Sequence, residues 1–163
     1  MTVLNFTEVL KWLEQHSLEH ADNHIKSDYY RKTNDFRIPA DSGRKTAIAK
    51  EISNLFSNDC LLWINEYGIW PSSENIELFD GYRRSININY PLYEKSGHLC
   101  KCTDIIQLSS LLAMILYFCW GAYLISDNKE YMINISHDEF IDLYINMNLS
   151  KTDIYNNLER LLS

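Results

Sequence analysis

The chain of 163 residues is long enough to bury a core of its own, and we predict a single domain over residues 1–163. A hydrophobic content of 46% with 13% aromatic residues excludes an intrinsically disordered protein. The net charge of −7 is unevenly spread, which argues against nucleic-acid binding by the whole surface and favours a basic or mixed protein partner; the alternative is an acidic surface that only gives solubility.

The first residues, MTVLNFTEVLKWL, lack the basic and apolar regions of a secretory signal, because Glu8 and Lys11 interrupt the apolar pattern. We therefore predict a cytoplasmic protein. In that compartment the four cysteines are expected to be reduced thiols. They are Cys60, Cys100, Cys102 and Cys119.

The first predicted helix begins after Asn5, since Glu8 completes a capping-box pair and apolar residues follow at helical spacing. Residues 42–56 fit a second helix, and the apolar run 60–67 indicates a strand or buried turn. Ser73 is predicted to cap a third helix over residues 74–85.

In the second half, residues 86–90 and 97–102 indicate short strands. A long apolar helix is predicted from Thr103 to Cys119, then a hairpin around residues 127–129, then two short helices. The predicted fold class is α+β: mostly helical, with a small antiparallel sheet or hairpin and a single layer of helices on the sheet.

Residues 108–125 form an uncharged run of eighteen residues, the length of a membrane span. Polar residues dilute the run, and Gly121 divides it into a helical pattern and a strand pattern. We favour a buried helix followed by a strand, with a membrane span as the alternative.

The segment SHDE, residues 136–139, contains residue types that serve in acid/base catalysis and metal binding. Ser136 and Glu139 have the spacing of a capping box, and Asp138 suits the first turn of a helix. We favour this structural interpretation over a catalytic one, although it leaves His137 unexplained.

Two segments have the residues of a metal site. HSLEH matches a zinc-protease pattern with His16, Glu19 and His20; we favour an exposed polar end of the first helix, with a metal-dependent hydrolase as an alternative function. GHLCKC places His98, Cys100 and Cys102 on one side of a strand, but without the paired C-x-x-C spacing of structural zinc. We predict no metal and no cofactor, and we expect partly buried thiols in GHLCKC.

The segment 26–50 has a charge of +4, so the rest of the chain has −11. We favour a solvated basic face for this segment, with a third function, a nucleic-acid or adaptor module, as the alternative. Its basic contacts would be Arg31, Lys32, Arg37, Arg44 and Lys45.

The stretch 63–81 combines large aromatic residues with acidic ones, and residues 51–81 contain no Lys or Arg. Rigid aromatic side chains anchor protein interfaces, and acidic side chains steer a basic partner toward them. The alternative is that the aromatic residues are core and the acids are surface. The predicted partner-binding residues are Glu66, Tyr67, Trp70, Glu74, Glu77 and Asp80.

Five segments, GIWPSSENIELF, RRS, GHL, DIIQLSSLLAMILYFCWGAYLIS and ISHDEF, occur in this order within residues 60–142. In that order they resemble a family of small bacterial proteins of uncharacterised function. The family pattern usually has an acidic residue where this chain has Gly121, which implies a soluble fold for the family. The resemblance implies no cofactor and no catalytic residues.

Together these features favour a non-enzymatic binding protein. The most specific hypothesis is a bacterial immunity protein that neutralises a cognate toxin, basic and of the nuclease type, by occluding it.

Overall fold

The computed structural model describes residues 1–21, 24–56, 58–70 and 74–163, with only the backbone of Ile154. The α-helices in these residues are α1 (Phe6–Gln15), α2 (Ser42–Leu55), α3 (Ile76–Ser85), α4 (Ile105–Phe118) and α5 (Asp153–Leu162), and a 3-10 helix (Cys102–Asp104) precedes α4. The strands are β1 (Thr2–Leu4), β2 (Glu19–Ala21), β3 (His24–Lys26), β4 (Tyr30–Arg37), β5 (Cys60–Glu66), β6 (Gly97–Cys100), β7 (Gly121–Ser126), β8 (Tyr131–Ser136) and β9 (Phe140–Asn146).

Seven strands form one antiparallel sheet in the order β1-β6-β5-β7-β8-β9-β4. Strands β2 and β3 form a separate hairpin. Strands β7, β8 and β9 follow one another as a meander, whereas the edge strands β1 and β4 both come from the N-terminal part of the chain.

Both faces of the sheet are buried. On β5, Cys60, Leu62 and Ile64 join the core formed with α2, α3, α4 and α5. Leu61 and Trp63 alternate with them and join a second core formed with α1 and the β2–β3 hairpin. A strand buried on both faces needs apolar residues at every position, which explains the unbroken apolar run that begins β5.

The prediction of a mostly helical fold with a small sheet is wrong, because the seven-stranded sheet organises the molecule. The predicted single layer of helices is also wrong, since α1 lies on the opposite face from the other helices. Residues 86–90, predicted as a strand, lie in the loop that follows α3.

The segment SHDE does not begin a helix. It forms the turn between β8 and β9, where the backbone N–H of Glu139 donates to the carbonyl of Ser136 at 3.1 Å. Glu139 has a φ of 65°, a left-handed conformation that closes the turn. The first of the two predicted C-terminal helices is therefore strand β9, and the second is α5.

Several local predictions are confirmed. Asn5 accepts from the backbone of Glu8 at 2.9 Å, and Glu8 accepts from the backbone of Asn5 at 2.7 Å, so the capping box of α1 is complete. Helix α2, strand β5 and the β7–β8 hairpin also lie where the sequence predicts them. The predicted cap Ser73 lies outside the described residues, and Asn75 caps α3 by accepting from the backbone of Leu78.

The uncharged run 108–125 divides as predicted into α4 and β7, with Cys119 between them in a left-handed conformation at φ 53°. Side chains from both elements enter the core beneath the sheet. Within the described ranges, no helix combines the length and apolar character needed to cross a membrane.

Candidate functional site

The candidate site lies at the end of the sheet where β5 finishes, β7 begins and the β8–β9 turn folds over them. Glu66, the last residue of β5, pairs in register with Gly121, the first of β7. The carboxylate oxygen Oε2 of Glu66 lies 2.6 Å from Nδ1 of His137 in the turn. The other ring nitrogen of His137 lies 3.6 Å from Oδ1 of Asp138, so carboxylates face both sides of the ring.

Trp70 joins the same cluster from the loop after β5. Its indole Nε1–H donates to the carbonyl of His137 at 3.2 Å. The carboxylate of Glu74 accepts from the backbone N–H of Trp70 at 2.7 Å and from that of Gly68 at 2.6 Å. Gly68 has a φ of 79°, a conformation that glycine adopts without strain. These hydrogen bonds fix the position of a tryptophan that is 47% exposed.

Other large apolar side chains near Trp70 in sequence are also exposed to solvent, as is Phe140 at the end of the β8–β9 turn. The exposed apolar residues near Trp70 in sequence are Ile69, Ile76 and Leu78. An open hollow of about 440 Å³ lies beside the loop, lined by residues that include Gly68, Glu74 and Glu77. We refer to Ile69, Trp70, Ile76, Leu78 and Phe140 as the apolar patch. Four of them are close in sequence and Phe140 is close to His137, which contacts Trp70; exposed apolar residues that adjoin one another are typical of interaction surfaces.

Acidic side chains accompany the apolar patch. Glu77 lies exposed in the first turn of α3. The side chain of Asp138 is 69% exposed and that of Glu139 is 45% exposed, although Glu139 lies 3.3 Å from Arg37. The exposed surface around Trp70 is thus apolar with acidic neighbours.

The structure brings three of the six predicted binding residues together, namely Glu66, Trp70 and Glu74. Glu66 and Glu74 use their carboxylates within the protein, so Trp70 and Glu77 are the predicted residues that face solvent most openly. Tyr67 is half-buried with its ring 5.9 Å from that of Trp120, and burial raises its pKa.

Asp80 points inward. Its Oδ1 lies 3.0 Å from the guanidinium of Arg83, which is completely buried, and it also accepts from the backbone N–H of Leu92 at 3.0 Å. This carboxylate therefore neutralises a buried cation. It supports the fold of α3 and the following loop.

The sequence interpretation missed His137 and the turn around it as part of this site. It also missed the exposed Ile69, Ile76, Leu78 and Phe140. The structure brings the segments GIWPSSENIELF and ISHDEF into contact through Trp70 and His137, and no local pattern in either segment indicates that contact.

The structure does not bring His16, Glu19 and His20 of HSLEH together. Helix α1 ends at Gln15, so His16 and His20 do not lie one helical turn apart. His16 stacks on Trp12 and lies 3.0 Å from Asp127, whereas His20 lies against Trp63. Glu19 is exposed on β2.

His98 and Cys100 lie on β6 facing the same core, whereas Cys102 lies beyond the strand and is exposed. Burial, together with the nearby charge of Arg83, lowers the pKa of His98 to about 3. Among the residues that the structure describes, no group of three or more His, Cys, Asp or Glu side chains could hold a metal ion.

The basic residues of segment 26–50 are spread over β4 and α2, and most have local partners. Lys32 pairs with Asp142 at 2.8 Å, and Arg37 pairs with Glu139 at 3.3 Å. Arg44 donates to the carbonyl of Leu161 at 2.6 Å, and Lys45 lies over the ring of Tyr117. Arg31 lies 3.5 Å from the carbonyl of Leu149.

Comparison with protein-family models, with curated proteins and with solved structures finds no match to this chain.

Proposed function

We propose that this protein is a bacterial immunity protein that acts in the cytoplasm, binding a co-produced toxin and occluding it without any chemistry of its own. The observation that supports the proposal best is Trp70, whose half-exposed indole donates to the carbonyl of His137 while its backbone N–H donates to Glu74. An aromatic anchor that is already fixed before binding loses little conformational entropy in a complex.

The surroundings of Trp70 suit a protein partner. The apolar patch supplies area that a partner can cover, and it lies beside the exposed acids Glu77 and Asp138. Acids at the rim of an apolar contact attract a basic partner and raise its association rate. A toxin domain that binds nucleic acid, such as a nuclease, carries such a basic surface.

The proposal is tested by expressing the toxin encoded beside this protein and measuring its affinity by calorimetry. Trp70→Ala should weaken binding about 30-fold or more, the loss expected for a hot spot worth roughly 2 kcal/mol. Tyr93→Ala is the matched control, because Tyr93 is 74% exposed but lies outside the apolar patch. Equal affinities of Trp70→Ala and wild type would refute the site.

The contribution of charge is tested at Glu77 and Asp138, since Glu66, Glu74 and Asp80 have partners within the protein. Reversal of both charges, Glu77→Lys with Asp138→Lys, should slow association about tenfold at low salt. The difference from wild type should shrink as salt is added. An unchanged association rate would contradict a basic partner at this surface.

A further inference from the structure

Cys60 and Cys100 stand directly opposite each other on the neighbouring antiparallel strands β5 and β6. Residues paired in this way have Cα atoms about 4.5–5.5 Å apart, within the span that a disulfide bridges. Opposite residues also share one face of the sheet, and both of these side chains enter the same core. The backbone therefore already places the two cysteines at bonding range.

The two side chains are free thiols in contact with each other. Contact with the thiol of Cys100, reinforced by burial, raises the pKa of Cys60. The thiol of Cys100 also lies 3.6 Å from the carbonyl of His98. The S–H group of Cys100 thus has a backbone acceptor in the folded protein.

A cavity of about 170 Å³ reaches this pair from the end of the sheet. Its lining includes both cysteines together with Trp12, Leu99, Asp59 and Asp127. Each of the two cysteine residues is only 2% exposed, and the cavity also touches Trp12 and Leu99 of the opposite core, so a small reagent would approach the pair from the end of the sheet, past the strand backbones. Thr2 and Lys101 complete the lining, and its charges of both signs make a small uncharged reagent the simplest probe.

We propose that Cys60 and Cys100 are a redox modification site, which forms a reversible cross-strand disulfide by reaction with a small-molecule disulfide. Cys100 loses its proton and attacks a sulfur of the reagent, since the raised pKa of Cys60 disfavours the Cys60 thiolate, and the first thiolate of the reagent leaves. The second cysteine then attacks the resulting mixed disulfide and displaces the second thiolate. Two electrons pass from the cysteines to the reagent, and their two protons end on the two thiols that it releases.

The expected disulfide is readily reversible. Directly opposed residues of a sheet have Cβ atoms about 4.5–5.5 Å apart, farther than the spacing of about 3.8 Å that a relaxed disulfide prefers. A bond formed there is strained, and strain makes a disulfide easier to reduce. Such a pair suits transient oxidation in a reducing compartment.

The test uses the full-length chain with Cys102→Ser and Cys119→Ser, which leaves only this pair. The folded protein is incubated with hydroxyethyl disulfide and its intact mass is measured. We expect a loss of about two daltons, the mass of two hydrogen atoms, with no reagent attached, and dithiothreitol should restore the mass. Peptide mapping should find the segments containing Cys60 and Cys100 linked.

Adding Cys60→Ser to the same background should abolish the loss of mass and leave at most a reagent adduct on Cys100. If that variant does not fold, the peptide map of the parent still identifies the bond. The proposal is overturned if the folded protein keeps its mass while the urea-unfolded protein loses two hydrogens, because the thiols are then inaccessible. It is equally overturned if the folded protein accumulates only a stable mixed disulfide.

Discussion

The side chain of Glu66 occupies the space above Gly121 on the neighbouring strand. A Cβ atom added at position 121 would lie 2.6 Å from Oε2 and 2.8 Å from Cβ of Glu66. Glu66 cannot move away without losing its 2.6 Å contact with His137. Position 121 must therefore be glycine if Glu66 is to keep its contact with His137, which holds the β8–β9 turn against β5.

Gly121→Ala should lower the free energy of unfolding by about 1–3 kcal/mol, the usual cost of overpacking a buried site. Denaturant unfolding measures this loss. The cost should be smaller in a Glu66→Gly background, because that change removes the atoms that the new methyl group meets. If the two substitutions change the free energy of unfolding additively, the alanine methyl group does not collide with Glu66.

Asp80→Asn should destabilise the protein by roughly 3–5 kcal/mol, because it leaves the buried charge of Arg83 without a carboxylate partner. Urea unfolding gives the value. Glu77→Gln is the matched control on the same helix and should change stability by less than about 0.5 kcal/mol, since Glu77 is exposed. Equal effects of the two variants would show that Asp80 is not structural.

Stability should fall as the pH drops below 6.5, because of His98. Burial lowers the pKa of His98 to about 3 in the folded protein. The unfolded chain, with an ordinary histidine pKa near 6.5, binds a proton that the folded protein does not. The stabilisation is complete above pH 6.5 and is lost progressively toward pH 3, by about 1.4 kcal/mol per pH unit.

Denaturant unfolding at pH 7 and pH 5 tests this dependence, in a range where most carboxyl groups remain ionised. The wild type should lose about 2 kcal/mol more than His98→Leu over this interval. Parallel pH profiles of the two proteins would mean that His98 takes up a proton in the folded state as readily as in the unfolded one.

Glu74→Ala should loosen the loop that carries Trp70 while leaving the global fold intact. The substitution removes the acceptor for the backbone N–H groups of Gly68 and Trp70. Hydrogen exchange at these two amides should accelerate about tenfold or more, since each loses a charge-assisted hydrogen bond worth roughly 1.5–3 kcal/mol. Glu74→Gln, which keeps one acceptor oxygen, should give an intermediate rate. Unchanged exchange in Glu74→Ala would indicate that other contacts fix the loop.

Local signals in the sequence predicted local structure well. The capping box of α1 joins residues three positions apart, so both partners are visible in the sequence, and the structure confirms it. The same reasoning was wrong for Ser136 and Glu139, because a tight turn uses the same residue types as a helix start. The alternation of buried Ile141, Leu143 and Ile145 was the stronger signal, and its period of two indicates strand β9.

The candidate site was predictable only in part. Trp70 and the acids around it stood out as one aromatic and acidic stretch. The contact between Glu66 and His137 joins residues separated by 71 positions, and no local pattern in the sequence indicates a contact between residues so far apart. Asp80 could not be distinguished from the exposed Glu77, because the burial of Arg83 depends on how α3 packs.

The order of strands has a consequence for the synthesis of the protein. Thr2 on one edge of the sheet pairs with Leu99, and Tyr30 on the other edge pairs with Asn146. Both edge strands leave the ribosome well before the strands they pair with. At about 5–20 residues per second, the interval between Tyr30 and Asn146 is on the order of ten seconds. Strand β4 therefore waits for β9 throughout that interval, and the apolar face of α1 has no sheet to cover it until β5 and β6 have been made.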